Sequence, residues 1–394
     1  FCVANATIQG SQCTIGWFVD DTKISHLKAA VTDEIIALLE SRFGTMTVTR
    51  GPEHMFLGMK ITFHGDGTAS ICMPSYIQEA IDESGLNITS ISPTPCASSL
   101  LTIDPNSPVL PTKRAQTFHS IVAKLIYVGT RARTDILLAL GFLCSRVSNP
   151  TEQDEKKLRR LLEYLSGTKD MPLRLGADSL HQFMTWVDAS FAVHDDMRSH
   201  TGGVISFGRG GILCKSKKQK INTKSSTEAE LIGASDYLPH TLYVKMFMEA
   251  QGYPITKALF YQDNESAIKM ESNGKASCGQ RSRHIDIRYF FIADHSKRQD
   301  IDIVHCPTED MLADFFTKPL QGSLFRKFRA VLLGHDHINS LDHHALRTPP
   351  EERVGKAKSL SPALGSLTSE MTYATIGSSG GDGCPTSSVV LPRS

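Results

Sequence analysis

Between residues 183 and 316 the spacing of apolar residues switches repeatedly between a period of two and a period near 3.6, and the order of those switches limits the fold more than any single motif. Strands are predicted over 183–188, 202–207 and 211–215, with a fourth near 219–222, before a long helix that begins at 227. A strand at 258–262, helices at 264–272 and 284–298, a strand at 301–305 and a helix at 309–316 follow. Consecutive strands followed by alternating helices and strands predict a mixed sheet flanked by helices.

Upstream, "TIGWFVD" (14–20) and "TKISH" (22–26) read as two strands around a tight turn at Asp20-Asp21, followed by an amphipathic helix at 28–43. "EHMFLGMKITFHGDGTASICM" fits a further hairpin with "GDG" as its turn, so this stretch is an α+β unit. Residues 87–118 are rich in Ser, Thr and Pro and predict an irregular crossing segment. Helices are predicted at 119–146 and 151–166, the second opening with Thr151 and acidic residues in its first turn. Beyond about 334, Ser, Gly, Pro and His accumulate and no period survives, which predicts a disordered tail over 335–394.

Length, 394 residues, allows two or three domains with cores of their own. The 42 basic residues nearly cancel the 41 acidic ones, so any polyanion partner must be read from local clustering rather than net charge. Nine scattered cysteines with no C-x-x-C pair argue against a zinc ribbon or a disulfide scaffold, and predict reduced thiols. No apolar run is long enough for a membrane span, and "FCVANATIQGSQC" has no secretory-signal pattern. The first residue is not Met, which predicts a fragment of a longer product.

Four acidic residues sit near the ends of predicted elements: Asp188 late in the first strand, Glu228 in the first turn of the long helix, Asp263 after "ALFYQ", and Asp314 in the last short helix. Hard oxygen ligands delivered by separate elements to one point are what a pair of Mg²⁺ ions about 3.5–4 Å apart requires. For Glu228 in "SSTEAE" a helix start is a sufficient explanation by itself, because Ser and Thr cap orphan amides and a first-turn carboxylate suits the helix dipole.

Five segments in order, "WVDASFAVHDDMRSHTGG", "KSKKQKINTKSSTEAELIGAS", "YQDNESAIKM", "RSRHIDIRYFF" and "PTEDMLADFFTKPL", closely resemble the ribonuclease H domain of Ty1/copia-type retrotransposon Pol polyproteins. "GWFVDDTKISH" resembles the reverse-transcriptase palm hairpin whose paired aspartates bind metal, here Asp20 and Asp21, and "FHSIVAKLIYVGTRARTDILLALGFLCSRVSNPTEQDEKKLRRLLEYLSGT" resembles the thumb and connection helices. The implied fold is α/β and α+β multidomain. A partial palm (1–95) and a helical thumb and connection (96–180) precede a ribonuclease H-like mixed five-stranded sheet flanked by helices (181–334), with the tail after it.

The resemblance implies two-metal hydrolysis, with two Mg²⁺ or Mn²⁺ ions, of the RNA strand of an RNA–DNA hybrid. Asp188, Glu228, Asp263 and Asp314 are the implied catalytic metal ligands, with Asp188 bridging. Recognition would run through 2′-hydroxyls in the minor groove. Implied partners are the hybrid, template RNA and nascent DNA, and either a homo-oligomer or the remainder of the polyprotein, with no membrane. Assembly in cytoplasmic virus-like particles is implied, a nuclear location being the alternative. The alternative function is a catalytically inactive relic or a co-opted nucleic-acid-binding module.

Departures from the family pattern bear on these expectations. The palm strand with the third polymerase aspartate would lie before Phe1, so no polymerase activity is expected of this chain alone. Ser190 and Phe191 stand where the family often has Asp and Trp, and Pro239 predicts a kink or break in the long helix.

"RGGILCKSKKQKINTK" holds Arg209, Lys215, Lys217, Lys218, Lys220 and Lys224 just before Glu228, and beside a phosphate-cleaving site this run reads as a backbone-binding strip with salt-sensitive affinity. Arg281, Arg283 and Arg288 extend it. His284 is a substrate contact, a proton carrier or a helix cap, and His305 has similar alternatives. His335, His337, His343 and His344 read as a solvated tail rather than a metal site. Trp17, Tyr127 and Trp186 read as core or strand residues.

Overall fold

A computed structural model of the chain describes residues 3–273, 283–341 and 372–377, with the side chains of 270–287, 289 and 372–377 outside that description. The chain divides into two compact units, 1–57 with 362–394, and 58–361.

In the first unit, β1 (Val3–Ile8), β2 (Ser11–Phe18) and β3 (Asp21–His26) form an antiparallel meander, followed by α1 (Ala29–Phe43), β4 (Thr47–Arg50) and β5 (Glu53–Phe56). Ile24, Cys13 and Ile36 close a small core under α1. The two-residue turn falls at Val19-Asp20, one position earlier than expected, and Asp21 already pairs with Phe18. Trp17 lies in β2 close to the hairpin tip and is 39% exposed, a strand residue rather than a core one. Strand β1 escapes sequence reading because nearly all of it is exposed and no apolar alternation marks it.

Between β3 and β4, hydrogen-bonded antiparallel to both, lies a strand over Thr372–Gly377. The expectation of a disordered tail therefore fails for this segment. "TYATIG" is short, but two flanking strands satisfy its backbone groups on both sides. It fails also for 335–341. Ile338 and Leu341 are buried, His335 Nε2 lies 2.8 Å from the Pro172 carbonyl and His337 Nε2 lies 2.8 Å from Asp178 Oδ1. His343 and His344 lie outside the described residues.

The second unit begins with β6 (Met59–Phe63), β7 (Ala69–Cys72) and α2 (Pro74–Glu83). Helices α3 (Thr112–Arg131), α4 (Leu137–Cys144) and α5 (Glu152–Gly167) follow, then β8 (Leu173–Ala177), which pairs with β7. Thr151 and Asp154 form a reciprocal cap that starts α5 where the sequence predicts it. The single helix expected over 119–146 is broken at Ala132–Ile136. There Arg133 and Asp135, both 1% exposed, make a bidentate ion pair that Tyr164 of α5 and Thr168, just past its end, complete. A buried pair of this kind needs the geometry of the break to satisfy both charges.

The larger sheet is built from β9 (Gln182–Ser190), β10 (His200–Ser206), β12 (Leu213–Lys218), β13 (Lys257–Gln262) and β14 (Asp302–His305), with the two-residue β11 (Gly208–Arg209) pairing with β8 instead. Its order is β12-β10-β9-β13-β14; the first three strands are antiparallel, and β13 runs parallel to both β9 and β14. This is the expected mixed five-stranded sheet. The additional strand expected near 219–222 is irregular chain.

Residue parity assigns the two faces of the sheet. Phe183, Val187, Ile205 and Phe260 pack against α6 (Ser226–Ala250), which runs through Pro239 without a break because Ser235, Leu238, Thr241 and Val244 hold both halves on the sheet. On the other face Trp186, Val204, Cys214 and Tyr261 share a core with α3, α4, α5 and Phe315-Phe316. The expected boundaries at 95/96 and 180/181 therefore do not coincide with a break in packing. Helices α7 (Glu265–Asn273), α8 (Arg283–Lys297) and α9 (Gly322–Leu332) complete the unit. Among the described residues no helix is long and apolar enough to cross a membrane.

Candidate metal centre and active site

Asp188 is the seventh residue of β9, and its parity turns it away from α6. It stands opposite Gly202 on β10, which in turn stands opposite Ser216 on β12. Over this row lies a 3-10 turn, Leu312–Phe316, where a helix over 309–316 was expected. The fully buried Met311 takes ψ 88° and splits that segment into two short turns. Gly202 permits the approach: a Cβ there would lie 2.8 Å from the Ala313 carbonyl oxygen and 2.7 Å from Phe316 Cβ. Ser216 Oγ donates to the Phe316 carbonyl at 2.7 Å, and the Thr317 hydroxyl donates to Asp188 Oδ2, fixing turn and strand together.

Asp314 enters from this turn, and Asp263 enters from the end of β13, the parallel neighbour of β9. Carboxylate oxygens of Asp188, Asp263 and Asp314 all lie within 4.8 Å of one another. Asp188 and Asp314 are 2% and 6% exposed, and Asp263 is half-buried. Burial first, then the Asp188 charge, push Asp314 up to about 7, although Lys318 Nζ donates to its Oδ1 at 2.7 Å. The same two causes raise Asp263. Among the described residues, three crowded carboxylates with one ammonium leave a surplus of negative charge, and hard oxygen donors of this type suit Mg²⁺ or Mn²⁺.

No protein-family model matches the chain. It is 26% identical over 293 residues, 73% of its length, to the retrovirus-related Pol polyprotein of transposon TNT 1-94 of Nicotiana tabacum, and 32% identical over 213 residues, 54% of its length, to that of transposon RE1 of Arabidopsis thaliana. This chain belongs to the Ty1/copia-type retrotransposon Pol family. It spans 22% and 14% of those two polyproteins. Among solved structures, the Pol chain is similar to the foamy viral protease-reverse transcriptase in complex with RNA/DNA hybrid (15% identity, 81% of this chain and 42% of that one, TM-score 0.40). It is also similar to the compost-derived LC11 ribonuclease H1 (13% identity, 34% and 91%, TM-score 0.23).

Of the four acids expected to converge in this Pol chain, Glu228 stands apart from the cluster. Its Oε2 accepts the Lys224 amide at 2.7 Å while its own amide donates to Ser225 Oγ, so its side chain closes the N-terminus of α6. Asp20 is exposed at the hairpin turn and Asp21 is half-buried. His305 ends β14 opposite Gln262 and acts electrostatically on Asp263.

The basic strip divides. Lys215 and Lys217, with Lys220, line a groove of about 470 Å³ with His240 and Arg288, on the α6 face of the sheet rather than the Asp188 face. Lys218 also lines this groove and is paired with Asp196 at 2.8 Å, and Lys224 is exposed. Arg209 donates to the carbonyls of Gly334 and His335. Arg281 lies outside the described residues, as do the side chains of Arg283 and His284.

Thr317 and Lys318 are the residues that sequence reading passed over. Both belong to "LADFFTKPL", and the four-residue spacing of Asp314 and Lys318 was the available signal. A buried chain from His194 Nε2 to His200 Nδ1 (3.0 Å) and from His200 Nε2 to Ser216 Oγ (2.8 Å) leads to the same turn, with no pattern in the sequence to announce it.

Proposed function

We propose that the five-stranded sheet and its 3-10 turn form a ribonuclease H that hydrolyses the RNA strand of RNA–DNA hybrids. The observation that carries this reading is the meeting of Asp188, Asp263 and Asp314, from three separate elements, within 4.8 Å. The donor set and its surplus negative charge fit divalent cations, and these three residues would hold them. Bound Mg²⁺ or Mn²⁺, taken as a pair, supplies the activated water and the stabilisation of the leaving 3′ oxygen. Thr317 keeps the Asp188 carboxylate in one orientation, and Ser216 keeps the turn that presents Asp314. Lys217, Lys220 and Arg288 offer cationic groups to a nucleic-acid backbone along their groove. Polymerase chemistry is not proposed for Asp20 and Asp21, because among the described residues no third His, Cys, Asp or Glu joins them in a ligand group.

A second reading, a module that grips hybrids without cutting, draws on the position of Glu228, whose carboxylate is occupied in capping. The two readings separate when the full chain is incubated with hybrid, single-stranded RNA and duplex RNA in Mg²⁺ and in Mn²⁺. Cleavage confined to the RNA of the hybrid supports the enzyme. Salt-sensitive hybrid binding by a folded chain that cuts nothing in either ion supports the module.

A further inference from the structure

Among the described residues the three carboxylates share one ammonium. Lys318 is carried by the residue next to Thr317, four positions after Asp314, and its Nζ sits 2.7 Å from Asp314 Oδ1. The two partners differ in access: the Asp314 side chain is 8% exposed and the Lys318 side chain 40%. Lysine presents its charge as a point on a flexible four-carbon stem, so the ammonium can leave for solvent while the carboxylate stays in place. Asp188, Asp263 and Asp314 all act electrostatically on Lys318, so its charge answers the whole cluster rather than one partner. The oxygen it occupies belongs to one of the three groups that would ligate a cation, and an ammonium beside a divalent ion is repelled by it.

We propose that Lys318 is the resident counter-cation of this site, a placeholder that a divalent ion must displace from Asp314. The inference rests on the reading of Asp188, Asp263 and Asp314 as a divalent-cation centre. Lys318 then has two opposed effects. It stabilises the ion-free fold by neutralising part of the buried negative charge, and it weakens ion binding by competing for Asp314. Any ligand that binds only the folded state stabilises it by an amount that rises with the logarithm of its affinity, so both effects are visible in melting curves without reference to turnover.

The test is a Mn²⁺ titration of the full chain, wild type beside Lys318→Met and Lys318→Arg, followed by calorimetric binding and by thermal melting. Lys318→Met keeps most of the stem and removes the charge. It should melt below wild type in chelator and gain more from the ion. Its binding midpoint should fall about tenfold, the factor that corresponds to ~1.4 kcal/mol of removed competition. Lys318→Arg, which keeps the charge, should bind with a midpoint near wild type. If Lys318→Met does not fold, Lys318→Gln takes its place with the same expected direction. An unchanged or weaker midpoint in the uncharged variant overturns the counter-cation role while leaving the metal centre intact. A wild type that binds no Mn²⁺ overturns the metal centre itself, and the role of Lys318 with it.

Discussion

The hydroxyl of Thr317 donates a hydrogen bond to the carboxylate of Asp188 across 129 residues of sequence, and that one contact ties the turn carrying Asp314 to the central strand of the sheet. Thr317 is 1% exposed and Asp188 2%, so neither group has water as a substitute partner. Thr317→Val keeps the shape and removes the donor. It should cost about 1.5–3 kcal/mol in urea unfolding, as expected for a hydrogen bond to a charged group, whereas Thr317→Ser should cost less. Equal losses in the two variants would mean that packing, not the hydrogen bond, makes this contact.

Gly202→Ala tests how tightly the turn is seated. The added methyl meets a backbone carbonyl at 2.8 Å, which cannot rotate away as a side chain would. The turn must lift, at about 1–3 kcal/mol of stability, and Asp314 must move away from Asp188. Stabilisation by Mn²⁺ should fall in parallel. A variant with wild-type melting and undiminished ion response would show that the turn is free to shift without consequence.

How much of this was legible in the sequence depends on whether a feature is local. The succession of elements along the chain and the mixed character of the sheet followed from periodicity, and the cap of α5 from Thr151 and the acidic residues after it, because neighbours in sequence create these features. The break at Ala132–Ile136 was hidden, because Arg133 and Asp135 find Tyr164 and Thr168 only after α5 has packed. Met311 and the turn it bounds were likewise set by burial. Asp188, Asp263 and Asp314 were marked by their places at or near element ends, but the same reasoning also marked Glu228, whose first-turn position serves a cap that is local and complete without a metal. The strand at Thr372–Gly377 finds its partners more than 300 residues upstream, beyond the reach of local patterning.

The pair His194 and His200 should make stability fall in mild acid. Burial foremost lowers both, His194 to about 4 with Lys218 nearby and partly offset by Asp196, and His200 to about 3 with His194 and Lys218 as further causes. Their folded values lie below the unfolded one near 6.5, so the unfolded chain takes up protons first. The stability that both contribute is present above pH about 6.5 and is lost as the pH falls toward about 4. Urea midpoints measured from pH 7.5 to 4.5 should decline, and Lys218→Met should make the decline shallower. A profile flat through this range would contradict buried neutral imidazoles.

Asp314→Asn should act in the opposite pH direction. The folded value of Asp314, about 7, lies above its unfolded value, so its contribution is full below pH about 4 and is lost as the pH rises through 7. In chelator at pH 8 the amide variant should therefore match or exceed wild-type stability by about 1 kcal/mol, while its gain from Mn²⁺ disappears. Lower stability than wild type at pH 8, with the ion response kept, would mean that Asp314 is neither crowded nor a ligand.

The most direct measurement is cleavage of the end-labelled RNA strand of an RNA–DNA hybrid by the folded full chain and by Asp188→Asn, Asp263→Asn, Asp314→Asn and Glu228→Gln, in Mg²⁺ and in Mn²⁺. Three carboxylates that together form the cutting site predict cleavage by wild type and a loss of at least about a hundredfold in each of the three aspartate variants. Glu228→Gln, whose parent carboxylate caps α6 outside the cluster, is expected to retain more activity than any of them. A chain that folds and binds hybrid but cuts nothing, or aspartate variants that cut as wild type does, would contradict the account.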